Sequence, residues 1–172
     1  MSRLRLYPIQ TPLSPFVLME YQEALVALCS LQEAYAYHRK LEARVQDPIL
    51  LEEDTSSLLL DAEKQLTEYF HGLRQQFSLP LAFYGTEFQK QVWQQLLQIP
   101  YGQTVTYGHI AETLGQKGAR AVGTAVGRNP LPILVPCHRV LPASGRIGNF
   151  SLTGGAGSKK FLLDLEGAVY EK

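Results

Sequence analysis

An α+β fold in two parts is what this chain of 172 residues predicts, and three observations carry that expectation. The first third alternates short apolar runs with turn residues and then takes up a helical period, strands first and helices after. The second half shows helical spacing punctuated by Gly and Pro. The charge balance also changes sign along the chain. Residues 1–85 hold seven Lys/Arg and eleven Asp/Glu, whereas residues 86–172 hold nine and five. The boundary falls between residues 76 and 87, in the extended stretch SLPLAFYG, and the expected domains are 1–80 and 81–172.

With 45% hydrophobic and 19% charged residues the composition is that of a globular chain. No apolar run is long enough to cross a membrane as a helix. The first residues, MSRLRLYPIQTPLSPF, have no apolar segment behind their arginines, so no secretory signal is expected. Two cysteines, Cys29 and Cys137, are too few for a disulfide framework. The expected compartment is reducing and intracellular: cytoplasmic, or nuclear in a eukaryote. A monomer is the default.

TPLSPFVLME reads as a first strand and EALVALCSLQ as a second. Cys29 lies inside that second run, a small core hydrophobe. A zinc site pairing Cys29 with His38 would need further ligands that the sequence lacks at metal spacing. Residues 45–55, with Asp47-Pro48 and Glu52-Glu53-Asp54, read as a loop. From Ser56 to Phe70, Leu58, Leu59, Leu66 and Phe70 fit a helix, capped by Gly72. Thr86 and Gln89 form a capping box. Phe88, Val92, Leu96 and Ile99 then give one apolar face, widened by Trp93 and Leu97, and Pro100 ends that helix. Two short helices follow, Tyr107–Leu114 with Ile110, Ala111 and Leu114 inward, stopped by Gly115, and Ala119–Val126. Such a pair describes either a helix-turn-helix or an ordinary core helix pair. Arg120 opens the second helix, where a recognition helix presents side chains to DNA. Ile133-Leu134-Val135 reads as a short buried strand delivering Cys137. In the last helix Phe161, Leu162 and Leu165 face inward and Gly167 caps it.

Between Thr113 and Leu163 stand seven basic residues and no acidic one: Lys117, Arg120, Arg128, Arg139, Arg146, Lys159 and Lys160. That stretch is either a surface for an anionic partner or a solvated basic face. Cys137 precedes His138 and Arg139. A thiol is only slightly ionised at neutral pH, so a nucleophilic cysteine needs a base or a nearby positive charge. His138 is a candidate base, acting through a water. Glu166, at a helix C-terminus where a carboxylate is disfavoured, is either solvated or the acceptor that orients His138.

Pro-Cys-His-Arg-Val at 136–140, preceded by Arg128-Asn129-Pro130, resembles the active-site signature of the O6-alkylguanine-DNA alkyltransferases. GTEFQKQVW (85–93), IPYGQTVTYGHIAETLG (99–115), ARAVGTAVGRNP (119–130) and KKFLLDLEG (159–167) resemble the same family in order and spacing. The first half resembles it weakly. The resemblance implies a ribonuclease-H-like N-terminal α/β domain and a mainly helical, winged-helix-like C-terminal domain that binds DNA from the minor groove. It implies that a damaged guanine is flipped from the duplex into a pocket. Cys137 would accept the alkyl group, His138 would be its base, Glu166 would orient His138, and Asn129 would brace the turn behind the nucleophile. Tyr107 would contact phosphate and donate toward the purine. Arg120 would fill the space left by the flipped base, with Ala119, Ala121 and Arg128 also on the DNA. The backbone at Cys137 and Val140 would read the guanine edge, and Pro132, Phe150 and Ser151 would line the pocket. No metal and no organic cofactor are implied. The loop Gly148-Asn149-Phe150-Ser151-Leu152-Thr153-Gly154-Gly155 is about two residues longer than the family usually has, so its register against the base is open.

The leading reading is single-turnover repair of O6-alkylguanine in double-stranded DNA, with O4-alkylthymine as a second candidate substrate. Against it stand a lesion sensor without transfer activity, whose relatives lack the cysteine, a Cys-His hydrolase, and a transcriptional regulator.

Overall fold

A computed structural model describes residues 1–148, 150, 152 and 154–172, and the chain divides into two compact units, Met1–Gly85 and Thr86–Lys172.

The first unit is a four-stranded sheet with two helices. In chain order it comprises β1 (Ser2–Gln10), β2 (Pro15–Tyr21), β3 (Ala24–Cys29), α1 (Leu31–Val45), β4 (Ile49–Glu53) and α2 (Ser57–Phe70). The sheet order is β3-β2-β1-β4, antiparallel except for the parallel β1–β4 edge. Phe16 to Tyr21 are buried without a break, which requires cover on both faces of β2; α1 and α2 both pack on it. The β2–β3 turn places Gln22 and Glu23 at positive φ, the geometry that matches strand twist in a two-residue hairpin.

Three expectations fail here. TPLSPFVLME is the second strand, because Ser2–Gln10 already forms one. Residues 45–55 contain β4, an edge strand whose solvent-facing Glu52 and Glu53 give it a loop's composition. Helix α1 was unforeseen, although Ser30 and Glu33 form a complete capping box at its start. Helix α2 starts at Ser57, and Gly72, at φ 73°, follows its cap residue His71. Residues 80–82 lie along the free edge of β3 through Leu25 N–H to Pro80 O and Ala82 N–H to Leu25 O.

The second unit comprises α3 (Glu87–Leu96), β5 (Val105–Thr106), α4 (Tyr107–Thr113), α5 (Arg120–Gly127), a 3₁₀ turn (Cys137–Arg139), β6 (Val140–Leu141) and α6 (Gly155–Leu165). β5 and β6 pair in parallel. Thr86 and Gln89 make both bonds of the capping box. Val92, Trp93, Leu96 and Ile99 are buried, but Leu97 is 38% exposed, one position off the buried stripe. In α6 the buried residues are Ser158, Lys159, Leu162 and Leu163. Phe161 is exposed instead, because the helix is rotated to bury the Lys159 side chain. Trp93 donates its indole N–H to Ala125 O at 2.9 Å, tying α3 to α5.

Trp93→Phe removes that one bond and part of the buried ring volume. It is expected to destabilise the protein by about 2 kcal/mol, from the lost bond and the cavity together, read as a lower urea midpoint with an unchanged slope.

Candidate active site

Cys137 is delivered by two tight turns, not by a strand. Leu134 N–H bonds to Pro132 O at 2.9 Å, with Ile133 between them at φ 73°. Cys137 N–H bonds to Val135 O at 2.8 Å around Pro136 at φ −80°, ψ 65°. These are γ-turns of the two hands. A β-branched residue at positive φ is strained and persists only when its surroundings hold it. Asn129 does so: its Nδ2 donates to Val135 O at 2.9 Å and its Oδ1 accepts from Leu131 N–H at 3.0 Å. The run 133–135 reads as a strand because it is buried and apolar, and burial alone does not distinguish the two.

Behind the thiol lies a buried charged cluster. His138 Nε2 and Glu166 Oε2 are 2.7 Å apart. Arg139 donates from Nε to Oε1 at 2.8 Å and from Nη2 to Oε2 at 2.9 Å, and its Nη1 donates to Ile99 O at 2.7 Å. Gly102 N–H donates to Oε1 at 3.1 Å. Gly102 has φ 78°, and a Cβ there would stand 3.0 Å from Glu166 O, so only glycine fits this approach. A carboxylate collecting three N–H donors from Gly102 and Arg139 is held ionised, so His138 Nε2 carries the proton. Its Nδ1, also buried, makes no hydrogen bond among the described residues and keeps its lone pair.

Burial sets the protonation of each group. The Cys137 thiol is 1% exposed, and desolvation pushes it up to about 11 against the pull of Asn129 and Lys159. Desolvation also pushes His138 below its ordinary value, outweighing Glu166. Tyr107 is pushed up by burial and stays a phenol that can donate. Lys159, fully buried, falls to about 8 by desolvation. Its Nζ donates to Val140 O at 2.6 Å and sits 5.9 Å from the Tyr107 ring centre and 5.7 Å from that of Phe150.

Cys137 opens into a cavity of about 730 Å³ whose walls include Tyr107 on α4, Ala119, Arg120 and Gly123 on α5, and Phe150. Val140 and Pro132 are buried but are not among the described residues that line it. Ala121 is exposed on α5, and Arg128 is exposed at its C-terminal cap. Ser151, Asn149 and Thr153 lie outside the described residues. The acid-free window is not one face. Arg139 and Lys159 are buried and Lys160 pairs with Asp164 at 2.6 Å. Lys117, Arg120, Arg128 and Arg146 are exposed, and among the described residues no carboxylate pairs with them.

The model of the 6-O-methylguanine DNA methyltransferase DNA-binding domain matches residues 87–168, and that of the ribonuclease-like domain of the same proteins matches residues 4–83. A methylated-DNA–protein-cysteine methyltransferase of Methanosarcina acetivorans is 40% identical over 160 residues, 92% of this chain and 96% of that one. The constitutive one of Bacillus subtilis is 42% identical over 168 residues, 95% of each. The chain belongs to the 6-O-methylguanine DNA methyltransferase family. The O6-methylguanine methyltransferase of Mycobacterium tuberculosis has the same fold, with TM-score 0.79 and 38% identity over 95% of this chain and 93% of that one. A crystal structure of Mycobacterium tuberculosis OGT in complex with DNA gives 0.78 and 36% over 95% and 92%.

In this family member the residues that sequence reading missed are Lys159, Gly102 and the role of Arg139. Lys159 carries no local signal, since a lysine beside another lysine reads as solvated. Gly102 reads as a simple turn. Arg139 reads as part of a basic window because its acidic partner is 27 positions away in the chain.

Both thiols are held protonated: Cys29, half-buried, is pushed up to about 12 by desolvation. In the folded protein at pH 8 an aromatic disulfide reagent is therefore expected to react about a hundredfold more slowly than with a free thiol. Both cysteines should titrate at the ordinary rate once urea unfolds the chain. Rapid reaction of Cys137 in the folded state would contradict the protonated thiol.

Proposed function

We propose that this protein removes alkyl groups from O6 of guanine in double-stranded DNA by transferring them, once per molecule, to Cys137. The observation that carries this reading is a buried thiol opening into a cavity walled by α4 and α5, with an imidazole–carboxylate pair behind it. Relatives named methylated-DNA–protein-cysteine methyltransferases, matching nearly the whole chain, support it. DNA is the expected partner, supported by the DNA-binding-domain match and by the DNA complex of the mycobacterial relative.

A thiol at about 11 is almost wholly protonated at pH 7, so the reaction needs a base. His138 supplies one. With Nε2–H directed to Glu166, its Nδ1 lone pair takes the thiol proton, directly or through a water. Sγ attacks the alkyl carbon, an S–C bond forms, and the C–O6 bond breaks with its electron pair left on the guanine. The leaving purine takes a proton, for which the Tyr107 phenol is the available donor, and the phenol recovers it from the proton His138 took, through water. The products are guanine and a thioether. Among the described residues no group in the cavity can cleave a thioether, so turnover stops at one.

The alkylated oxygen is inaccessible inside a duplex, so the nucleotide must be extruded. Arg120, exposed at the start of α5, fills the gap in this reading, with Ala119 and Ala121 against the groove and Arg128 on phosphate. Asn129 holds the turn that presents Cys137. Val140 O bonds Lys159 and has a second lone pair for the guanine edge. Pro132 supports the turn, Phe150 walls the pocket, and Ser151 is the further candidate for a contact to the base. O4-alkylthymine is the second candidate substrate.

Intact mass after mixing with a duplex carrying one O6-methylguanine should rise by one methyl group, saturating at one per protein and mapping to Cys137. Cys137→Ser should abolish the gain and leave duplex binding intact, because a hydroxyl is far harder to deprotonate. Tight lesion binding by the wild type with no mass gain would instead establish a sensor. Arg120→Ala should slow transfer from duplex far more than from the free alkylated base; equal slowing on both would remove the extrusion role. Binding should weaken linearly in log–log with salt as phosphate contacts release counterions.

A further inference from the structure

An imidazole 2.7 Å from a buried carboxylate is ordinarily driven toward the imidazolium form, and an imidazolium cannot take a proton from a thiol. In this site the carboxylate has another counter-ion. Two guanidinium nitrogens of Arg139 reach both oxygens of Glu166, at 2.8 and 2.9 Å, and the third is fixed on Ile99 O at 2.7 Å. A guanidinium keeps its charge at any working pH, and its fork matches the two carboxylate oxygens.

Resting on the transfer reading above, we propose that Arg139 is a positioning residue that keeps His138 an uncharged base by serving as the fixed counter-ion of Glu166. Three other groups bear on the imidazole or on this pair. Lys159 faces it from α6 and opposes its protonation, as Arg139 itself does; Glu166 alone favours it. Cys137 adjoins on the same turn. Tyr101, after α3, lies with its ring centre 5.7 Å from the Arg139 guanidinium carbon. The geometry divides the labour: Glu166 orients the ring through Nε2–H, and Arg139 cancels the charge that would otherwise protonate Nδ1.

The test reads the ring directly. Nitrogen NMR of ring-labelled histidine in the free, full-length wild type at pH 7 should show His138 neutral with the proton on Nε2. An imidazolium at that pH would overturn the proposal, and this measurement needs no variant to fold. In Arg139→Gln the midpoint of His138 protonation should rise by about one to three pH units, the range for a charge within a few ångströms. The acid limb of the methyl-transfer rate should rise with it, so that the loss against wild type is about tenfold greater at pH 6 than at pH 8.5. Arg139→Lys, which keeps the charge, should hold the wild-type midpoint. The double variant Arg139→Gln with Glu166→Gln should bring the midpoint back down, because the protonating charge is gone. A uniform rate loss across pH with an unmoved midpoint would make Arg139 a packing residue only. Failure of the transfer reading looks different: a neutral His138 in a wild type whose Cys137 gains no methyl group.

Discussion

The carboxylate of Glu166 receives hydrogen bonds from Gly102, His138 and Arg139, and through it three segments far apart in the chain are held at one point. The turn after α3 contributes the Gly102 amide, the 3₁₀ turn contributes the imidazole and guanidinium, and the end of α6 contributes the carboxylate itself. A carboxylate at a helix C-terminus opposes the helix dipole, and burying it adds a desolvation cost. Four donors offset both. An apolar replacement of similar volume would serve stability as well; what it could not supply is a neutral, oriented imidazole behind a thiol.

The nucleophile depends on a second constraint. Two successive γ-turns bring the chain around to Cys137, one of them with Ile133 in the left-handed region. Asn129 pairs the Leu131 amide and adds a second donor to the Val135 carbonyl, which the Cys137 amide also reaches. A strained segment clamped by one side chain fixes where Sγ points, which matters for a displacement that needs its nucleophile in line. Burial then holds the thiol protonated until a substrate and the base are both in place. Lys159 tempers that burial: its amine lies between Tyr107 and Phe150, bonded to the carbonyl three residues after the thiol.

The polar site is thus a property of the second unit alone, Thr86–Lys172. Its small residues let α4 and α5 approach closely, with a Cβ on Gly123 coming 3.9 Å from Tyr107 Cδ1. Its exposed cations, Lys117, Arg120, Arg128 and Arg146, stay free of carboxylates among the described residues. Charge counting over the window mixed two populations, cations that face solvent and cations that hold the core.

By itself the sequence determined the elements with strong local signals. The Thr86–Gln89 capping box, the apolar period of α2 and α3, the glycine stops after α2, α4 and α6, and the Pro-Cys-His-Arg-Val block with its flanking motifs were all legible because each is set by neighbours within a few residues. The pairing of His138 with Glu166 was legible as one of two alternatives, since a carboxylate at a helix C-terminus calls for a compensating partner. Strands β1 and β4 were not: β4 is a charged edge strand, and β1 interrupts its apolar residues with Arg3, Arg5 and Pro8, so each differs from a loop only in what it pairs with. Nor were the γ-turns at 132–137, the burial of Lys159, or the bond between Arg139 and Glu166. Those were decided by the tertiary structure: burial, register and ion pairing are relations between residues distant in the chain, and a side chain's charge state follows from the groups that folding brings against it.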